Sequence, residues 1–468
     1  MRLQNIHLLV ARIMHTGQAS NVDHSDITKI VPTVVCNTNI GHRIIVVNIA
    51  VMRKVSKSYP KSACATDLGT LLQQISRVWT RTLGEVLGFA SLVLRSSNPP
   101  STVDLIRRHN YPAETHYTRT GDNVVLEIHR IPHGPLLELF RLNRRTPVVL
   151  MHGIGQSSSD WLLNTPIKDS LAFMLSNEGY DVWIGNLRGN LNKNSGLGQM
   201  SWNYSFHEMG VYDVPAVLKY VTEYTGFRNV HYIGFSMGST AMLTALSKQP
   251  NLNSMTRTGI ILGPSIFQDN YLNGWLKLIV PLGRVAEVLQ DRFGSIPLLH
   301  PFAARMLHRI LPIMCHPRID LIGVCLAVGN LLFGYDRGQI TKDKLAVITQ
   351  VSPTPISSKL LLHYIQELGS GRFCEYDYGT DKNLQMYNTT KPPDYNLTNV
   401  AAPIAVMFGQ EDVLAHRLDA LTLVNKLPNV VDFYQVPYQH FTHLDFCYAE
   451  DVRTLVYNRV LEILRRYD

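Results

Sequence analysis

The chain has 468 residues, 45% of them hydrophobic, enough to bury a large core as one domain with an insertion or as two domains. Its formal charge of +8 gathers in residues 1–100, which hold 11 Lys+Arg against 4 Asp+Glu; the rest holds 33 against 32 and carries no mark of a nucleic-acid binder. Six cysteines in so long a chain argue against a disulfide scaffold, and no apolar run reaches the ~18 residues of a membrane-spanning helix.

The basic first hundred residues form a segment of their own. Residues 6–14 are apolar but carry His7 and Arg12, residues 44–52 are broken by Asn48, and residues 86–94 lie deep in the chain, so no clean signal peptide is legible. An extended leader and a functional domain both stay open for 1–100.

After Asn98-Pro99-Pro100 the pattern sharpens. Residues 114–120 and 124–131 alternate around Gly121-Asp122-Asn123, the signature of a hairpin. A short apolar run at 147–151 ends in His152-Gly153-Ile154-Gly155. Helical periodicity at 170–177 precedes a strand at 180–184, and another helix at 214–224 precedes Val230-His231-Tyr232-Ile233. With a further buried strand at 259–263, this alternation predicts right-handed crossovers and a parallel sheet covered on both faces. The rhythm stops between about 264 and 399, where helical pieces such as 275–289 and 319–332 replace strands. It resumes with a strand at 403–408, a helix at 418–426, a strand at 431–436 and a closing helix at 451–466. The predicted fold is α/β, with a mostly parallel central sheet and a helical insertion: core at 101–264, insertion at 265–398, core again at 399–468.

Gly234-Phe235-Ser236-Met237-Gly238 lies between the strand at 230 and a small-residue helix. This is the setting of a nucleophile elbow, in which two glycines let strand and helix cross beside a serine held in a strained turn. A serine nucleophile needs a base, an acid that orients the base, and donors for the oxyanion. In elbow-type sheets the order is Ser, then Asp or Glu, then His, each after a strand. Asp412 follows the strand at 403–408, and His443 lies between the last strand and the closing helix. Rivals for the acid are Glu411, Asp419 and Asp445, and for the base His440. The oxyanion donors are expected to be the backbone N–H groups of Met237, after the nucleophile, and of Ile154, in the loop after Met151. Trp161, Trp183 and Arg188 read as structural. Three N-x-S/T sequons stand at Asn203, Asn388 and Asn396.

From 103 to 464 the chain resembles the acid lipases, the group of gastric and lysosomal acid lipases and many insect homologues. The resemblance rests on ordered segments: Arg130-Ile131-Pro132, the run from Val148 to Gly153, Ser170-Leu171-Ala172-Phe173, and Gly179 through Asn186 with Arg188-Gly189-Asn190. It continues with Phe206-His207-Glu208-Met209, Tyr212 through Ala216, Tyr376-Asp377-Tyr378-Gly379 and His443-Leu444-Asp445-Phe446. It implies an α/β-hydrolase core under a helical cap and lid, and hydrolysis of triacylglycerols, sterol esters or related lipid esters. It places nucleophile, acid and base on Ser236, Asp412 and His443, and the oxyanion amides on Ile154 and Met237. It also implies a cap disulfide between Cys315 and Cys325, against the alternative of two buried free thiols. Gastric-type members usually carry His and Gln where this chain has Phe235 and Met237.

The expected activity is a serine lipase working through an acyl-enzyme, needing no metal or organic cofactor and meeting the lipid–water interface through its cap. The competing readings are a catalytically inactive lipid-binding or storage protein on the same fold and a short-chain carboxylesterase. The expected compartment is extracellular or lysosomal.

Overall fold

The computed structural model describes residues 99–468 except 139–143, 191–200, 271–279, 316–321 and 336–337, together with two residue pairs nearer the N-terminus. Two compact units divide the chain, Met1–Gly88 and Phe89–Asp468. In the first, Val34–Val35 pairs antiparallel with Ile44–Ile45. The apolar runs at 6–14 and 86–94, most of 44–52, and the first residues of the helices expected at 275 and 319 lie outside the described residues.

The second unit is built on an eight-stranded sheet: β1 (Glu114–Arg119), β2 (Val125–Ile131), β3 (Pro147–Met151), β4 (Asp181–Gly185), β5 (Val230–Phe235), β6 (Thr256–Leu262), β7 (Ile404–Phe408) and β8 (Val430–Gln435). The order across the sheet is β1-β2-β4-β3-β5-β6-β7-β8. β1 and β2 form the expected hairpin, and β2 also runs antiparallel to β4; all other neighbours are parallel. The reason is in the side chains. β3, β4, β5 and β7 are buried at every residue, as strands covered on both faces must be, whereas edge strand β1 alternates half-buried and exposed positions.

Successive residues of one strand feed opposite cores. Val149 and Met151 pack with Trp183, Val217, Tyr232 and Ala241, while Val148 and Leu150 pack with Phe173, Ile184, Ile233 and Val456. Each fully buried side chain of this size stabilises the fold by roughly 1.5–3 kcal/mol. The first core is covered by α3 (Val214–Thr225) and α4 (Met237–Lys248); the second by α2 (Leu171–Asn177) and α12 (Asn458–Arg466). α1 (Thr102–Arg108) opens the unit behind a capping box of Ser101 and Asp104. The closing helix expected at 451–466 enters as a π-helical turn, Arg453–Tyr457, before α12.

Between β6 and β7, among the described residues, no strand joins the sheet. The insertion carries α5 (Val280–Phe293), α6 (Pro301–Met314), α7 (Ile322–Phe333), α8 (Lys342–Ile348), α9 (Ser358–Ser370) and α10 (Thr380–Tyr387). α11 (Arg417–Lys426) follows β7. A disulfide joins Cys315 at the end of α6 to Cys325 in α7.

Candidate active site

At the end of β5 the chain turns into α4 through Ser236, whose φ of 51° and ψ of −116° lie outside the regions open to ordinary L-residues. Such a conformation costs on the order of 1–3 kcal/mol and persists only where its surroundings enforce it. Here the Ser236 N–H donates to Leu262 O of β6 at 2.9 Å. A Cβ on Gly234 would stand 2.7 Å from the Gly238 carbonyl carbon, and one on Gly238 would collide with Met151 O. The two glycines therefore let β5, α4 and β3 close around the serine, which is 3% exposed.

His443 comes from the loop after β8 and Asp412 from the loop after β7. The Ser236 hydroxyl lies 2.8 Å from His443 Nε2, and His443 Nδ1 lies 2.8 Å and 3.0 Å from the two Asp412 oxygens. Asp412 is fully buried, and its Oδ1 also accepts the amides of Leu414 and Ala415 at 2.9 and 2.8 Å. Its two oxygens thus face donors, which orients the carboxylate toward the imidazole. Phe235 lies beneath the imidazole at a ring separation of 4.9 Å. The insertion touches the same loop: His443 N–H donates to Phe333 O at the end of α7. Ser236, His443 and Asp412, distant in sequence, meet in one place.

The rivals lie elsewhere. His440 Nδ1 pairs with Glu411 at 2.7 Å on a partly exposed surface. Asp419 accepts from Asn270, and Asp445 accepts the Thr442 amide at 2.6 Å.

Among the described residues, neither the Ile154 nor the Met237 amide has an acceptor within the protein. Met237 is the first residue of α4, where N–H groups lack intrahelical partners. His152, Gly155, Gln156, Arg188, Met237 and Thr354 line a small pocket at this point. His152 is buried, which lowers its affinity for a proton below the ordinary histidine range. Leu187 N–H donates to its Nε2 at 3.2 Å, which leaves Nδ1 to carry the proton and donate to Gly153 O at 2.8 Å. The insertion reaches this loop as well. Thr354 donates from its N–H to Gly155 O at 2.7 Å and from its hydroxyl to Gln156 O at 3.0 Å, and Ser352 donates to Asp160 at 2.6 Å.

Trp161 and Trp183 are buried, and Arg188 bridges Asp122 and Asp213. Asp213 is pushed up to about 6 by burial, against the opposing pull of Arg188. Asn203, Asn388 and Asn396 are exposed. Sequence reasoning missed Gly263, Ser265, Gln156 and Tyr448, all of which touch the site or its supports. Among the described residues no group of three or more His, Cys, Asp or Glu is placed to hold a metal ion, and no helix is long and apolar enough to cross a membrane.

Comparison with known proteins agrees with this architecture. Residues 102–165 match the family described as a partial alpha/beta-hydrolase lipase region, and residues 146–289 match the alpha/beta hydrolase fold. Lipase 3 of Drosophila melanogaster is 35% identical over 387 residues, 81% of this chain and 96% of its own. Human gastric triacylglycerol lipase is 32% identical, with 79% and 93% covered. The lysosomal acid lipase/cholesteryl ester hydrolase of Rattus norvegicus is 30% identical, with 82% and 99% covered. A solved structure from Sulfolobus solfataricus superposes with a TM-score of 0.50 at 13% identity, covering 76% of this chain and 94% of that one, and speaks to the fold alone.

Proposed function

The chain belongs to the gastric and lysosomal acid lipase family of α/β-hydrolases and is a carboxylic ester hydrolase of lipids; from that premise we propose that it works by acyl transfer through Ser236, His443 and Asp412. Ser236 Oγ attacks the acyl carbonyl while His443 Nε2 takes its proton. Asp412 holds the Nδ1–H edge of the ring and steadies the imidazolium. The oxyanion is received by the amides of Ile154 and Met237. The alcohol leaves with the proton from His443, and a water deprotonated by the same imidazole then releases the fatty acid and frees Ser236. The observation that carries this reading is the unbroken contact path from Ser236 Oγ through His443 to buried Asp412.

The substrates are triacylglycerols, sterol esters or related long-chain esters, met at a lipid–water surface. Leu282, Val285, Val288 and Phe293 of α5 and Phe302 of α6 are each more than half exposed, an apolar display on the insertion that supports contact with lipid. A fluorophosphonate should label Ser236, Ser236→Ala should abolish both label and activity, and emulsified long-chain triglyceride should be hydrolysed. Absence of the adduct returns the chain to lipid binding without chemistry; turnover of short soluble esters alone makes it a carboxylesterase.

The compartment is extracellular or lysosomal. The Cys315–Cys325 disulfide and the exposed sequons at Asn203, Asn388 and Asn396 suit an oxidising secretory route. Protein passed through that route should lose mass on enzymatic deglycosylation, by steps that Asn→Gln changes at these three positions remove. An unchanged mass refutes the assignment.

A further inference from the structure

The peptide planes before and after Gly153 are held by Gln156, with His152 Nδ1 also donating to Gly153 O at 2.8 Å. Gln156 Oε1 accepts the Gly153 N–H at 2.9 Å, and the Gln156 backbone N–H donates to Gly153 O at 3.3 Å. A peptide unit is planar, so the direction of Gly153 C=O fixes that of the Ile154 N–H on the opposite side of the same plane. Gln156 therefore holds the peptide before Gly153 with its side chain and the peptide before Ile154 with its backbone.

A side-chain amide does this only when its oxygen, rather than its NH2, faces Gly153. Tyr448 supplies that orientation. Gln156 Nε2 donates to Tyr448 OH at 2.8 Å, and Tyr448 in turn donates to Asp160 Oδ1 at 2.5 Å. Gln156, Tyr448 and Asp160 are all at least nine-tenths buried, so no water competes for these bonds. Tyr448 ends the short helix Asp445–Tyr448, five residues beyond His443. One chain of hydrogen bonds thus ties the loop of the base to the loop of the oxyanion donor.

We propose that Gln156, oriented by Tyr448, is a positioning residue that aims the Ile154 amide at the reacting oxygen. The inference rests on the serine hydrolase reading above, and its role is to hold geometry rather than to touch substrate. Gln156→Met keeps the shape of the side chain and removes both of its hydrogen bonds; Tyr448→Phe removes one oxygen.

The test uses the purified full chain, a soluble p-nitrophenyl ester, and an alkyl trifluoromethyl ketone, whose adduct with Ser236 carries an oxyanion. In Gln156→Met, kcat/KM should fall about 10- to 100-fold, less than the 10²–10³ that outright loss of a donor costs. KM should stay within about twofold, and Ki for the ketone should rise by the same factor as kcat/KM falls. Tyr448→Phe should lose about 3- to 10-fold with the same parallel, and the double variant should lose no more than Gln156→Met alone, because both act through one path. A purely structural role would not move Ki in step with kcat/KM. Active wild type with kcat/KM and Ki unchanged in both variants overturns the inference, and should Gln156→Met fail to fold, the Tyr448→Phe result decides it. Inert wild type overturns the hydrolase reading, and this inference with it.

Discussion

At Gly263 one absent methyl group leaves room for the contact between Asp412 and His443. The residue follows β6 with a φ of +55°, and a Cβ there would stand 3.2 Å from both Asp412 Oδ2 and His443 Nδ1, the two atoms that bond each other at 2.8 Å. Gly263→Ala therefore strains the backbone and pushes on the contact that orients the imidazole. It should cost ~1–2 kcal/mol of stability and at least about tenfold in kcat/KM, since small displacements of catalytic groups are expensive. Thermal unfolding and ester hydrolysis measure the two effects, and an unchanged rate would show that the pair tolerates the intrusion. Ser236, Asp412 and His443 were legible as candidates because the pentapeptide demands a turn and the order of strands limits which loops can reach it. Gly263 was not, for a glycine after an apolar run looks the same whether it faces solvent or an imidazole.

Helix α9 carries a buried acid that no described residue neutralises. Glu367 is fully buried, and neither carboxylate oxygen meets a donor among the described residues. Burial pushes its carboxyl well above the usual range. Burial also makes the neighbouring Tyr364, Cys374 and Tyr395 hold their protons more tightly, and it drives His363, one turn earlier, down to about 3. The sign follows from proton counting. Above the ordinary carboxylate value the unfolded chain releases this proton while the folded chain keeps it, so stability declines as pH rises. Glu367→Gln removes that decline. The variant should match wild type near pH 4 and melt higher at pH 8, by about 2–4 °C for each kcal/mol recovered; equal melting temperatures at both pH values would show that Glu367 does not bear the cost. The sequence showed helices in this region but not which polar residues they bury. An amphipathic pattern locates a helix axis, whereas the insertion's packing on the sheet is decided by contacts far apart in the chain. The same limit explains why the helix expected at 275–289 runs on to Phe293.

Across the whole molecule the site gathers at the carboxyl ends of parallel strands β3, β5, β7 and β8, where loops from both halves of the core converge. That convergence was readable, because alternation of strand and helix fixes handedness and hence the edge at which the loops emerge. The hydrogen bonds by which residues 352–354 grip Gly155, Gln156 and Asp160 were not, since no local pattern announces them. They bear on how such a protein can be pared down or grafted. A designer who excised residues 265–398 to leave a bare minimal hydrolase would remove the clasp on the loop of Ile154 along with the insertion. Swapping in a relative's insertion to change the preferred lipid should succeed only if the transplant brings a matching clasp, so the two would travel as one piece.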